Sequence, residues 1–183
     1  LDAVELETAE ILLIVNADED AKLVSLDQEG SPQWEKRFEI PGWQFFSTGV
    51  SVEGGDLLLA GFWMNDGPPS QVDTWLARCT AKGEIVWEKT FGNPDDNDYA
   101  QSLIELSDGN YLIGGLGNGM PLTQIDADGN ILWQQRPLES GTYNAGALLE
   151  TNEGILAAGF IMLVNGRSYD AILALIEISE MED

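Results

Sequence analysis

The chain has 183 residues, 44% of them hydrophobic, enough for a folded domain with a core and too apolar for a disordered chain. Its formal net charge is -24, from 32 acidic and 8 basic residues, which opposes binding to a phosphate backbone and docking on anionic lipid. There is no histidine and a single cysteine, Cys79, which excludes Ser-His chemistry, an internal disulfide and an ordinary zinc centre.

Taken in chain order, the sequence predicts short strands in sets of four. The first set runs Val4–Glu7, Ile11–Val15, Lys22–Leu26 and Gln33–Phe38. The second runs Thr48–Val52, Leu57–Phe62, Thr74–Cys79 and Ile85–Thr90. The third runs Gln101–Leu106, Tyr111–Gly115, Leu122–Asp126 and Ile131–Arg136. The fourth has Gly146–Glu150, Ile155–Phe160 and Ile172–Ile176, then continues into Ser179–Asp183 without a fourth strand. Acidic or Gly-bearing turns separate the strands, as tight hairpins require. No capped stretch of 3.6 period reaches ordinary helix length, and no apolar run approaches a membrane span.

The sets are copies of one another. Leu26–Trp34, Cys79–Trp87 and Ile125–Trp133 each place a Gly four residues before a Trp, at Gly30 and Trp34, Gly83 and Trp87, and Gly129 and Trp133. The tryptophans are 53 and 46 residues apart. Four strands per repeat of that length is the sequence sign of propeller blades. The expected fold is therefore all-β, a β-propeller of about four blades at 2–39, 46–91, 99–138 and 142–178, forming one domain over 1–183. The Trp of each fourth strand is expected to pack on the next blade, and the glycines to serve the turns.

The stretch from Trp75 through Phe91, Asp95, Asp96, Asp98 and Tyr99 to Gly115 carries the pattern most fully. It resembles the repeats of bacterial secreted and surface propellers, akin to the quinoprotein-like and delta-60-type families. That resemblance covers nearly the whole chain. It implies fold more than function, because such repeats occur in many settings. The quinoprotein enzymes have more blades and an adjacent cysteine pair against the quinone. Neither occurs here, so their catalysis is not carried over and no catalytic residue is assigned.

Oxygen-rich turns invite a calcium test. Asp95, Asp96 and Asp98 are weak Ca²⁺ candidates, against the alternative that Asp and Asn there serve turn geometry. Asp126–Gly129 reads as a turn for the same reason. No other cofactor is expected. The connections between second and third strands, and between one set and the next, are longer and more varied than the hairpin turns. Function concentrates on such loops. Their candidate binding residues are Trp43, Phe45, Trp63, Asp66, Tyr143, Asn144, Arg167 and Tyr169, weighed against rings that fold back onto blade ends.

The function expected is non-catalytic: binding of a protein partner, or scaffolding of a larger assembly. A carbohydrate-binding surface lectin is the alternative, and a fragment of a quinoprotein-type oxidoreductase the second. The chain starts at Leu1 with no basic or apolar leader, so a mature or trimmed product is expected, which loses the leader's address; the location expected is extracellular or periplasmic. The missing fourth strand points to closure by Leu1–Glu7, to pairing with another chain, as in a ring of two copies, or to a longer propeller.

Overall fold

The computed structural model describes residues 2–6, 10–17, 20–39, 42–65, 71–93, 96–162 and 169–177. The chain is all-β. Among the described residues, 15 strands form sheets of four, four and seven, and no helix occurs. It divides into two compact units, Leu1–Tyr99 and Ala100–Asp183.

The first unit holds two meanders. β1 (Asp2–Glu5), β2 (Ile11–Ala17), β3 (Asp20–Leu26) and β4 (Pro32–Phe38) pair in that order. So do β5 (Trp43–Ser51), β6 (Leu57–Met64), β7 (Val72–Cys79) and β8 (Ile85–Phe91). Alternation decides which side chains meet, because successive residues of a strand point to opposite faces. Leu12, Ile14 and Leu23 of the first sheet join Leu57, Leu59 and Trp75 of the second in one core. Phe46 stacks on Trp75 at 4.0 Å, and Phe38 meets both rings edge-on.

The second unit continues the series with β9 (Tyr99–Glu105), β10 (Tyr111–Asn118), β11 (Leu122–Ile125) and β12 (Ile131–Gln135). Then come β13 (Thr142–Thr151), β14 (Gly154–Met162) and β15 (Tyr169–Glu177). These share one sheet because Leu116–Asn118 at the end of β10 pair with Asn144–Thr142 at the start of β13. Leu112, Leu122, Ile155, Ala157 and Ile176 form the core of this unit.

Every strand expected from the sequence is present. β5 and β13 start earlier than expected, at Trp43 and Thr142 rather than Thr48 and Gly146. The reason is a register shift in each, between Phe46 and Thr48 and between Ala145 and Ala147. A bulge breaks the two-residue alternation, so the part beyond it does not read as strand. The bulges also explain a landmark of the second strands. A Cβ on Gly61 would run into the carbonyl oxygen of Phe45, and one on Gly159 into that of Asn144. Of the segment considered for closure, Asp2–Glu5 pair with Ile14–Ile11 of β2.

The third-to-fourth strand turns share one construction. Gly30, Gly83 and Gly129 adopt φ of 81°, 75° and 73°. Each amide donates back to the residue three before it, Asp27, Thr80 or Asp126. Asp27 Oδ1 accepts from the amides of Glu29 and Ser31, Thr80 Oγ1 from Lys82 and Glu84, and Asp126 Oδ1 from Asp128 and Asn130. These are side-chain caps on a tight turn.

One such turn is also where neighbouring sets meet. A Cβ on Gly83 would sit 3.1 Å from Cβ and Cγ of Lys36 and 3.4 Å from the Trp34 ring. Lys36 Nζ lies 3.7 Å from Glu84 Oε1 in the same turn. Trp34 and Lys36 of β4 therefore rest on the turn of the next set. At Gly30, the equivalent glycine, a Cβ would meet nothing within 4 Å. The two positions make a controlled comparison. Gly30→Ala bears only the left-handed backbone penalty, about 1–2 kcal/mol. Gly83→Ala should lose roughly 1 kcal/mol more, from overpacking against Lys36 and Trp34. Urea midpoints of the two variants measure the difference; equal losses would show that the contact between sets contributes nothing.

Candidate functional site

The richest cluster of candidate residues lies where β5 begins and β6 ends. Trp43 pairs with Met64 and Phe45 with Phe62, so these four side chains share one face. Phe45 and Phe62 stack at 5.0 Å, and Tyr99 meets Phe62 edge-on at 5.0 Å. Trp43 stands 44% exposed at the end of this row. Gln44 and Trp63 occupy the opposite face, where Gln44 is buried and Trp63 packs against the core of the first unit. Trp43 and Trp63, both expected at the binding surface, are thus turned away from one another by strand alternation.

Polar side chains tie the surrounding connections together. Gln71 N donates to Asn65 Oδ1, and Gln71 Nε2 to the carbonyl of Asn93. Val72 N donates to Asn97 Oδ1, and Asp98 N donates to the carbonyl of Val72. Asp98 Oδ2 accepts from Asn93 N at 2.6 Å. On the neighbouring strand, Asn16 Nδ2 donates to the Phe46 carbonyl at 2.8 Å while its Oδ1 accepts from Phe46 N. The effect is to hold the approach to β7 against the segment after β8, and β2 against the start of β5.

Two carboxylates converge in this network. A Cβ on Gly92 would press on both Asp73 Oδ1 and Asp98 Oδ2, so a side chain there would push the two carboxylates aside. Asp73 Oδ1 is buried and receives no hydrogen bond. Burial, and then the Asp98 charge, push the Asp73 carboxyl above its ordinary 3.8, with a hydrogen bond from Gln71 pulling the other way. No group of three or more His, Cys, Asp or Glu able to hold a metal ion occurs among the described residues. Of the calcium candidates, Asp96 Oδ1 accepts from Asn97 N and Asp98 Oδ2 from Asn93 N, as turn carboxylates do.

The second unit treats its candidates differently. Tyr143 and Asn144, expected on a loop, are only 8% exposed because they lie within β13. Tyr143 belongs to the core of its unit, and Asn144 Nδ2 donates to Gln101 Oε1 at 3.2 Å. Both are corrected from surface ligands to packed residues. Tyr169 is 56% exposed and meets Phe160 edge-on. Asp66, Asp95 and Arg167 lie outside the described residues. Among the structural candidates, Trp34 and Trp133 are half-buried against the cores of their units. Trp87 is half-buried too, with Lys89 Nζ 5.4 Å from its ring centre. Phe62 and Asp73 were not among the candidates read from the sequence, and Tyr99 entered there only as part of the repeat pattern. The signal for Phe62 was its two-residue spacing from Met64, which puts it beside Phe45.

No family model matches the chain, and no curated protein matches it. Among solved structures, it is similar to a protein of unknown function from Bacteroides caccae, with 18% identity and a TM-score of 0.57. The match covers 100% of this chain and 62% of that one, so the chain spans under two thirds of that neighbour's length. At this identity the likeness is one of fold alone.

The carboxylate pair yields a pH prediction with a definite sign. A folded-state value raised above the ordinary 3.8 means Asp73 favours the fold when protonated, and that this contribution is lost as pH rises through its folded value. Asp73→Asn should therefore raise the thermal midpoint at pH 7, and the gain should vanish below about pH 3.8. A variant destabilised at pH 7 would contradict this. A second prediction concerns Cys79, fully buried, whose thiol is pushed up to about 12 mainly by burial. A thiol-reactive chromogen should leave it unmodified in the native protein at pH 8 and titrate it fully in denaturant.

Proposed function

We propose that the four strand sets are blades of a β-propeller and that the chain is a non-catalytic module binding a protein partner at the aromatic end of its second sheet. The observation that carries this reading is the row of Trp43, Phe45, Phe62 and Tyr99 beside connections fixed by Asn65, Gln71 and Asn97. Aromatic rings give large contact area at little rotamer cost, and a hydrogen-bonded frame lowers the ordering cost of association. The propeller reading is supported by the repeated meander and by the two-faced burial of its middle strands. Leu57, Leu58, Leu59 and Ala60 of β6 are all at most 2% exposed, although neighbours along a strand face opposite ways. The titratable groups on hand suit recognition better than catalysis. The one thiol is fully buried and so is shielded from a substrate.

A lectin is the second reading, favoured by the juxtaposition of an exposed indole with Asn and Gln amides, which suits sugar faces and hydroxyls. One comparison separates the two. The immobilised chain and its Trp43→Ala variant are presented to a glycan array and to a lysate of the source organism. Protein capture lost in the variant, with affinity down about 30-fold or more, supports the protein-binding reading. Glycan hits lost in the variant transfer support to the lectin. Ligands that ignore Trp43 in both formats would sink this site. Trp63→Ala serves as the contrast, since that ring packs inward and its loss should lower stability first.

A further inference from the structure

The third and fourth sets share one sheet through a short join. Leu116, Gly117 and Asn118 of β10 pair there with Asn144, Tyr143 and Thr142 of β13. The join ends at Asn118-Gly119, and residues 136–141 close over that dipeptide. Gly119 N donates to the Gly141 carbonyl at 2.9 Å, and Leu138 N donates to the Gly119 carbonyl at 3.1 Å. Gly141 N donates to Asn118 Oδ1 at 2.9 Å. Arg136 Nη1 donates to the Asn118 carbonyl at 2.7 Å. A Cβ on Gly119 would stand 3.0 Å from both Arg136 Cβ and the Leu138 carbonyl oxygen, so the two segments lie in close contact.

The backbone after the join is held against local preference. Gly119 and Met120 take φ of 71° and 58° in succession, and Met120 is the one non-glycine residue with positive φ among the described residues. An L side chain rarely adopts that conformation, and it persists where the surroundings over-determine it. Here the Met120 side chain is fully buried in the core of its unit. The position of Gly119 is thus fixed from two sides, by the core and by residues 136–141.

Asn-Gly is the dipeptide most open to an intramolecular reaction, because glycine has no Cβ to hinder attack by its own nitrogen. Gly119 N gives up its proton and bonds to Asn118 Cγ. The Cγ–Nδ2 bond breaks, and Nδ2 leaves as ammonia with that proton. Water then opens the five-membered imide. Opening at Cγ leaves aspartate at 118, and opening at the main-chain carbonyl leaves isoaspartate, whose main chain is one atom longer. Asn118 is exposed, so water reaches it. Both reacting groups are nonetheless engaged in the fold, the Gly119 N–H with the Gly141 carbonyl and Asn118 Oδ1 with Gly141 N. Attack therefore requires residues 136–141 to lift away.

We propose that Asn118 is a spontaneous modification site gated by the join between the third and fourth sets: residues 136–141 shield it from imide formation while the join is closed, and the isoaspartate product stops the join from closing again. The two products differ in consequence. Aspartate keeps an acceptor for Gly141 N and sets its new charge beside Arg136. Isoaspartate inserts an atom where Asn118 pairs with Thr142, and a strand register tolerates no such change. The site is distinct from the aromatic end of the second sheet and stands or falls independently of it.

The test incubates the full chain at pH 8, native and in denaturant, and follows the two products at position 118 by peptide mapping with mass spectrometry. The same dipeptide recurs at Asn165-Gly166, outside the described residues, so the mapping resolves the two positions. Conversion at Asn118 is expected to be about tenfold or more slower in the native chain, as for a group exposed only by local opening. Arg136→Ala removes a donor to the dipeptide and should speed the native reaction several-fold while leaving the rate in denaturant unchanged. Asn118→Asp should keep the urea midpoint of the parent. The isoaspartate form, separated from the incubated sample, should lose hydrogen-exchange protection at Leu116–Asn118. Equal rates in the native and denatured chains would overturn the proposal, as would an Arg136→Ala variant that reacts like the parent. An isoaspartate form with full protection at the join would refute its second half.

Discussion

The middle strands of this protein are apolar on both sides, and the rest of the architecture follows from covering them. β6 and β10 bury runs of consecutive residues, Leu57–Ala60 and Tyr111–Ile113, each at most 5% exposed. A strand whose two faces are both apolar is stable only between two layers. The same meander recurs in each set, although the third and fourth sets share one sheet. The first and fourth sets differ in this. In β2, Leu12 and Ile14 are fully buried while Leu13 and Val15 stay partly open. In β14, Ile155 and Ala157 are buried while Leu156 and Ala158 are not. The first and fourth sets thus each keep a half-covered apolar face.

Strand positions were legible because two features rarely compete with each other in a short hairpin. Alternation or apolar runs mark the strand, and a turn needing positive φ marks its end. The Gly four residues before each Trp is one such end, and its capping Asp or Thr is visible in the same few letters. What stayed hidden lies beyond the bulges. At β5 and β13 the extra residue reverses which side chains face inward, so Trp43–Phe46 and Thr142–Ala145 resembled loop. This is why Tyr143 and Asn144 looked available for binding and are in fact packed. The bulge itself leaves a trace on the partner strand, at Gly61 and Gly159, where a carbonyl comes too close for a side chain. That trace was present as a repeated glycine without a stated cause.

The candidate site was legible by residue type and not by geometry. Aromatic residues near the ends of strands are easily collected from a sequence, but alternation then sorts them between faces. Trp43 keeps an exposed indole, whereas Trp63, one register step away on the partner strand, turns toward the core. The acidic residues show the same sorting. Asp27 and Asp126 spend their oxygens on turn amides, and Asp20 engages Arg37 at 3.0 Å. Asp73 is the exception, with one oxygen buried and without a hydrogen bond. Composition alone could not separate that group from the other acidic side chains, because only the fold brings Gly92 and Asp98 beside it.

In a repeat protein each set is stabilised mainly by its immediate neighbours, so a contact made within the series is informative about a position where it is missing. Trp34 and Lys36 of β4 close over Gly83 and Glu84 of the following turn, and nothing closes over Gly30. Likewise β3, β7 and β11 each carry a fourth strand at one edge, and β15 has the same apolar register with that edge unpaired among the described residues. Neither difference is apparent from the composition of the segment itself. Each becomes visible only by aligning the sets on their pairing register, in which Ile176 takes the place of Leu26, Cys79 and Ile125. The alignment makes Leu173 the counterpart of Leu23, Leu76 and Leu122, each of which lies on a strand paired on both sides. An isolated exposed Leu on a protein surface carries no such meaning.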